Sequence, residues 1–298
     1  MPHTDNGRKR PTARTTRATR TTRTARRRLR HETPSTVAVL ADRTDFAAMR
    51  RYRSFRFDDH AGYLRQVEGL LRALASQGTH ISLALFDPMA YEEYCADTHL
   101  DPDTPGSRTR YTADVAATGA RLTYDGRPLA HLLPDLVRAA EQQATWEYAS
   151  ALLEPGEDAG RAAFARASKL LRRLVETAGD GSHHLVCSVS APDDANTPLV
   201  AVVEAECHGG LLRLEESAAL LFCTVLAAGI GLGSPGGVVL RTTRPGEPET
   251  VRGWCLDGDG LRPLTAGEVF AAYCTDAETG EPVPPEPGVD YLAGVRLE

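Results

Sequence analysis

A chain of 298 residues, 42% hydrophobic and 25% charged, is long enough for two domains with ordinary cores. Its net charge of −6 averages two unlike polymers: Met1–His31 carries ten arginines and Lys9 against Asp5, a net of +10, while the other 267 residues carry 23 basic and 39 acidic groups, a net of −16. An acidic body argues against broad nucleic-acid contact by the folded part, and no segment approaches the roughly 20 apolar residues of a membrane helix, so no membrane partner is expected.

Arg8 to Arg30 is nearly a repeat of Arg, Thr and Ala, with no apolar side chain larger than Ala before Leu29. Such a segment buries too little surface to offset its ordering entropy, so residues 1–31 are expected to form a disordered Arg/Thr-rich tail. A nucleic-acid partner reached through residues 8–30 is one role for it, because each arginine neutralises a phosphate. A secretory or twin-arginine signal is a poor fit, since only five apolar residues follow the arginines. A transit peptide would need an amphipathic apolar face that is missing. The blander reading is a stretch upstream of a true start at Val37 or Met49. Two lysines against 32 arginines point to a GC-rich, bacterial coding sequence, in which such a stretch would look like this one.

Val37–Ala41 reads as a short buried strand ending at Asp42. Leu64, Val67, Leu70, Leu71 and Leu74 recur at helical spacing, with Asp58 or Asp59 to cap the helix and Gly78 to stop it. His80–Phe86 is a second strand, closed by Asp87-Pro88. Strand, helix, strand with this crossover length predicts a right-handed βαβ unit. A short helix over Met89–Asp97, a loop over Asp101–Ser107 and a strand at Arg121–Tyr124 follow. A long helix is expected to start at Pro134, and Phe164, Ala167, Leu171 and Leu174 mark another before Gly179.

The second half alternates differently. His184–Ser190 with Leu199–Glu206, and Gly237–Thr243 with Thr250–Leu256, predict two antiparallel hairpins around a buried helix at Leu214–Ala228. Thr265 and Glu268 have capping-box spacing and open a short helix, and Ala277–Gly288 reads as a Pro-rich loop. The expected architecture is therefore an α/β domain over 37–178, containing a βαβ unit and a small parallel or mixed sheet. A smaller α+β domain of ββαββα type follows over 179–298.

Six cysteines lie far apart, mostly inside apolar runs, and none makes a C-x-x-C pair. Buried reduced thiols in a cytoplasmic protein are the expectation. A Cys187–His208 dyad across the first hairpin is conceivable only if the two meet in space. The adjacent His183 and His184 must point to opposite faces of a strand. Gly229–Gly237 follows a helix and leads into a strand, the reverse of a phosphate-cradling loop, so it reads as a helix stop.

The strongest ligand candidates are Asp42 and Asp87, each at the carboxyl end of a strand in one sheet, where open α/β sheets bind ligands. Arg108, Arg110 and Tyr111 follow a loop and are expected to reach the same crevice as anion clamps. No cofactor is expected on the main reading. On an alternative one, Asp42, Asp45 and Asp87, with Glu92 or Glu93, would hold Mg²⁺. Arg50, Arg51, Arg53 and Arg56, interleaved with Tyr52, Phe55 and Phe57, form the one basic-aromatic cluster of the body. The functional expectation is a non-catalytic cytoplasmic binding or regulatory protein for a small anionic ligand or a protein partner. The alternatives are a Mg²⁺-dependent hydrolase or phosphotransferase, and a nucleic-acid-associated protein.

Overall fold

The structure, a computed structural model, describes residues 35–191, 198–258, 260–276 and 279–297. The predicted tail and its nucleic-acid arm lie outside these residues. The chain is mixed α/β, as its pattern predicts, and divides into two compact units, Met1–Ala140 and Glu141–Glu298. Among the described residues no helix is long and apolar enough to cross a membrane.

In the first unit, β1 (Ser35–Val39) and β2 (Ile81–Leu85) pair in parallel, from Ser35↔Ile81 to Val39↔Leu85. β3 (Leu122–Thr123) adds antiparallel to β2. Ile81, Ser82, Leu83 and Ala84 are all buried, as in a strand covered on both faces. The crossover holds α1 (Arg43–Met49) and α2 (His60–Ser76). α2 is capped by Asp59, which accepts from Gly62 N, and buries Tyr63, Val67 and Leu71 at i, i+4 and i+8. After β2 come α3 (Pro88–Asp97) and α4 (Pro105–Thr118).

Three local expectations change here. α1 carries only Phe46 and Met49 as buried residues, too little periodicity to announce a helix. α4 begins inside the segment read as a loop, because Thr104 accepts from Ser107 N and Pro105 sits at the first helical position. Pro is favourable there, since that N–H has no helical partner to lose. The long helix α5 (Leu129–Leu153) starts five residues before Pro134 and contains it. Leu129, Leu132 and Leu136 are buried in the first unit's core and outweigh the one bond Pro134 cannot donate.

The second unit contains α6 (Glu157–Ala178), β4 (Gly181–Val189), β5 (Leu199–His208), β6 (Leu211–Leu214) and α7 (Glu216–Leu232). β7 (Gly236–Thr243), β8 (Glu249–Asp257), β9 (Gly260–Pro263), α8 (Ala266–Tyr273) and β10 (Val289–Leu292) complete it. The sheet runs β10-β8-β7-β4-β5-β6, with β9 also on β8. β4–β5 and β7–β8 are antiparallel, while β10 is parallel to β8, which makes the sheet mixed. The predicted two hairpins and buried helix are present, but β6, β9 and β10 extend the expected ββαββα pattern. Each is only four residues long, too short for alternation to register.

Leu185 stands opposite both Val203 and Leu240, and all three join a core with Leu174, Phe222 and Leu226. The buried face of α6 belongs to that core, so α6 falls with the second unit, whereas the sequence places the division at 178/179. Gly233 ends α7 in the left-handed conformation (φ 62°), and Thr265 and Glu268 form the predicted capping box.

Candidate ligand-binding site

The carboxyl ends of β1 and β2 meet the start of α2 and one face of α4. Leu40, just past β1, donates its N–H to the Tyr63 hydroxyl at 3.2 Å and accepts from His60 Nε2 at 3.0 Å. Two side chains of α2 thereby hold the strand end. The loop Arg50–Asp58 is fixed from the other direction. Asp103 accepts from Ser54 N at 2.7 Å and from Arg53 N at 3.1 Å. Hydrogen bonds from the Ser54 backbone and hydroxyl hold the Asp103 carboxyl below its usual range, with Arg53 N and the Arg108 charge adding to the effect.

These restraints enclose a pocket of about 190 Å³. Its apolar walls are Met49, Phe55, Phe57 and Phe86, with Ala38 and Leu40 from the strand end. The rings are mutually braced: Phe55–Phe57 centroids are 4.8 Å apart, and Phe57–Tyr63 5.1 Å in an edge-on arrangement. Its polar lining consists of Arg108, Tyr63, Ser54 and Thr112, and no carboxylate lines it.

The polar lining holds one cationic group and three hydroxyls. Arg108 has five N–H groups. Two are directed at Ser54, to Oγ at 2.9 Å and to the carbonyl at 3.4 Å, so three remain. Arg108 forms no ion pair within 4.0 Å among the described residues. Tyr63 accepts from Leu40 and keeps its own proton, because burial pushes the phenol above its ordinary range despite that backbone bond. Thr112, one turn after Arg108 on α4, adds a hydroxyl. The lining thus offers one guanidinium and several hydroxyls beside an aromatic wall, with the Asp103 carboxylate behind Ser54.

Of the candidates named from the sequence, only Arg108 lines this pocket. Arg110 is exposed on α4. Tyr111 is 5% exposed and packs against Phe86, Tyr91 and Tyr94; burial, then the Asp87 charge, pushes its phenol up to about 12. It is a core residue here, not a clamp. Asp42 caps α1 by accepting from Asp45 N at 2.8 Å, and Asp87 caps α3 by accepting from Met89 N and Ala90 N. Burial raises the pKa of Asp45, and the Asp42 and Asp87 charges raise it further. Asp45 is thus repelled by both neighbouring carboxylates, while Asp42 and Asp87 each cap a helix N-terminus. Among the described residues no three His, Cys, Asp or Glu side chains are grouped to hold a metal ion. Aspartates that follow strands commonly serve as turn and cap residues, the role that Asp42 and Asp87 take here.

The basic-aromatic cluster separates into two populations. Tyr52 is buried, and Phe55 and Phe57 wall the pocket, while Arg50, Arg51, Arg53 and Arg56 are exposed. Arg51 pairs with Glu92 at 2.8 Å and lies over the Tyr52 ring. Ser54, Tyr63, Asp103 and Thr112 were not singled out from the sequence. The i, i+4 spacing of Arg108 and Thr112 becomes a signal only once α4 is known to be a helix.

Elsewhere, Cys187 is fully buried opposite Ala201, and its thiol is pushed up to about 12 by burial and by Cys223. His208 lies at the far end of the same hairpin, opposite Leu211 on β6, so the two form no dyad. A groove of about 290 Å³ between α6, α7 and β6 is mostly apolar, with Leu171, Leu212, Leu214 and Leu220 in its lining, and its charged members Arg172 and Glu216 are opposite in sign.

Residues 24–127 match the family described as Domain of unknown function (DUF8829), about a third of the chain. Every residue that lines the pocket lies within that segment. No curated protein and no solved structure matches the chain.

Proposed function

We propose that the first unit is a binding module for a small organic anion, held by Arg108. The observation that carries this reading is a polar lining of one guanidinium and three hydroxyls with no carboxylate among them. A half-buried surface that presents a guanidinium and hydroxyls and no carboxylate is complementary to an acceptor with negative charge. Its position outside the carboxyl ends of two parallel strands is where open α/β sheets take ligands. Charge-assisted hydrogen bonds to such a ligand are worth about 1.5–3 kcal/mol each, enough for useful affinity in a small pocket.

The test is thermal melting of the full chain with small organic carboxylates and with their neutral amides. A ligand that binds only the folded state raises the melting temperature, by an increment that grows with concentration over Kd. The acids are expected to raise it and the amides not, and Arg108→Gln is expected to abolish the rise while retaining the helical circular dichroism. No rise with any acid, or an equal rise in folded Arg108→Gln, would overturn the reading.

A further inference from the structure

The dimensions and walls of the pocket narrow the anion to a class. A volume of about 190 Å³ is well below the ~300 Å³ at which pockets for nucleotide- and drug-sized ligands begin. An apolar cavity of roughly 150 Å³ is known to accept one benzene ring. The space here therefore suits a single ring with one small substituent.

The walls favour an aromatic ring over an aliphatic one. Phe55 and Phe57 stand at 54° to each other, and Phe57 and Tyr63 at 82°. A ring entering among them meets both faces and edges, the two arrangements that aromatic quadrupoles prefer. An inorganic anion would satisfy Arg108 but make no use of the half-buried Phe55 and Phe57 rings beside it. Arg108 is the single charged side chain of the lining, which calls for one anionic group on the ligand.

We infer that the occupant is a one-ring aromatic carboxylate, its ring among Phe55, Phe57 and Phe86 and its carboxylate on the unspent N–H groups of Arg108. This inference rests on the anion-binding reading above, and it adds the ring and the single charge. No bond is made or broken: the site holds the acid.

Isothermal titration of the full chain with four probes separates the two levels of the argument. Benzoate is the expected ligand, cyclohexanecarboxylate keeps size and charge without the aromatic ring, benzamide keeps the ring without charge, and sulfate keeps charge alone. Aromatic pairs are worth about 0.5–1.5 kcal/mol beyond area, so benzoate should bind roughly 2- to 12-fold more tightly than cyclohexanecarboxylate. Phe57→Leu should narrow that ratio towards one while anion binding persists. Benzamide should bind at least tenfold more weakly than benzoate. Equal or tighter binding of cyclohexanecarboxylate would overturn the aromatic class and leave the organic-anion reading standing, whereas binding of sulfate alone would overturn both. Binding of benzamide as tight as benzoate, or of none of the four, would overturn both. The wild-type ratio decides the question even if Phe57→Leu does not fold.

Discussion

Arg108 reaches across 54 residues of chain to donate to both the hydroxyl and the carbonyl of Ser54, at 2.9 and 3.4 Å. Ser54 is itself held by Asp103 through its backbone N–H at 2.7 Å. α4, the loop Arg50–Asp58 and the segment before α4 are thus one hydrogen-bonded frame, and the aromatic wall Phe55–Phe57 hangs from it.

Ser54→Ala removes the oxygen that orients Arg108 but leaves the backbone contacts in place. It removes two hydrogen bonds, the one accepted from Arg108 and the one donated to Asp103, so the expected cost is about 1–3 kcal/mol of stability at the usual net worth of each. Carboxylate affinity should fall severalfold, because a freed guanidinium must be ordered on binding. Asp103→Ala strips two backbone N–H groups of their acceptor and should weaken ligand binding more than Ser54→Ala does. Denaturant unfolding beside titration checks both. If both variants bind the acid as well as the parent, the frame does not position the site.

The aspartates at the strand ends are expected to act on stability. Asp87→Ala and Asp42→Ala each lose a helix cap, at a cost of about 1 kcal/mol. Asn is an equally good cap, so Asp42→Asn should unfold within a few tenths of a kcal/mol of the parent. Adding Mg²⁺ or Mn²⁺ should leave the melting temperature of both unchanged. A metal-dependent rise that disappears in Asp42→Asn would restore the carboxylate cluster as a cation site.

His183 gives the second unit a pH-dependent contribution. Its ring is 2% exposed; Nε2 donates to the Gly179 carbonyl at 2.9 Å, and Nδ1 accepts from the Thr242 hydroxyl at 3.0 Å. Burial, and next the Arg244 charge, lowers its pKa below the ordinary 6.5, against opposing contributions from the Gly179 bond and Asp180. The folded state then binds fewer protons at this site than the unfolded state. The contribution to stability is present in full above about pH 6.5 and is lost as the pH falls from there towards the depressed folded value. His183→Gln should be less stable at pH 8 but lose less on going to pH 5 than the parent. Parallel curves for the two proteins would show that His183 does not titrate in this way.

The parts of the fold that were legible in the sequence are those with long periodic patterns. α2, β4 and β5 announce themselves because their buried residues recur over nine or more positions. α1 and β6 do not, since seven and four residues cannot complete a recognisable period. Pro misleads twice in opposite senses. Pro105 suggests a loop where it begins a helix, and Pro134 suggests a beginning where the helix already exists. The site was half visible for a related reason. Strand ends, Arg108 and the aromatic cluster are written locally, but the Ser54–Arg108 and Leu40–Tyr63 contacts join residues 54 and 23 positions apart. Asp42 and Asp87 drew attention by their position after strands, and that same position is what makes them good helix caps.

The most direct test of the account is to ask where a bound acid sits. The measurement is a nuclear magnetic resonance titration of isotope-labelled full-length protein with benzoate, following the Arg108 Nε–H signal and the backbone amides. The account predicts saturable shifts at Arg108 Nε–H and at the amides of Leu40, Ser54, Phe57 and Thr112, with the amides of α6 and α7 unmoved. Shifts confined to the mostly apolar groove beside β6, with Arg108 silent, would contradict it.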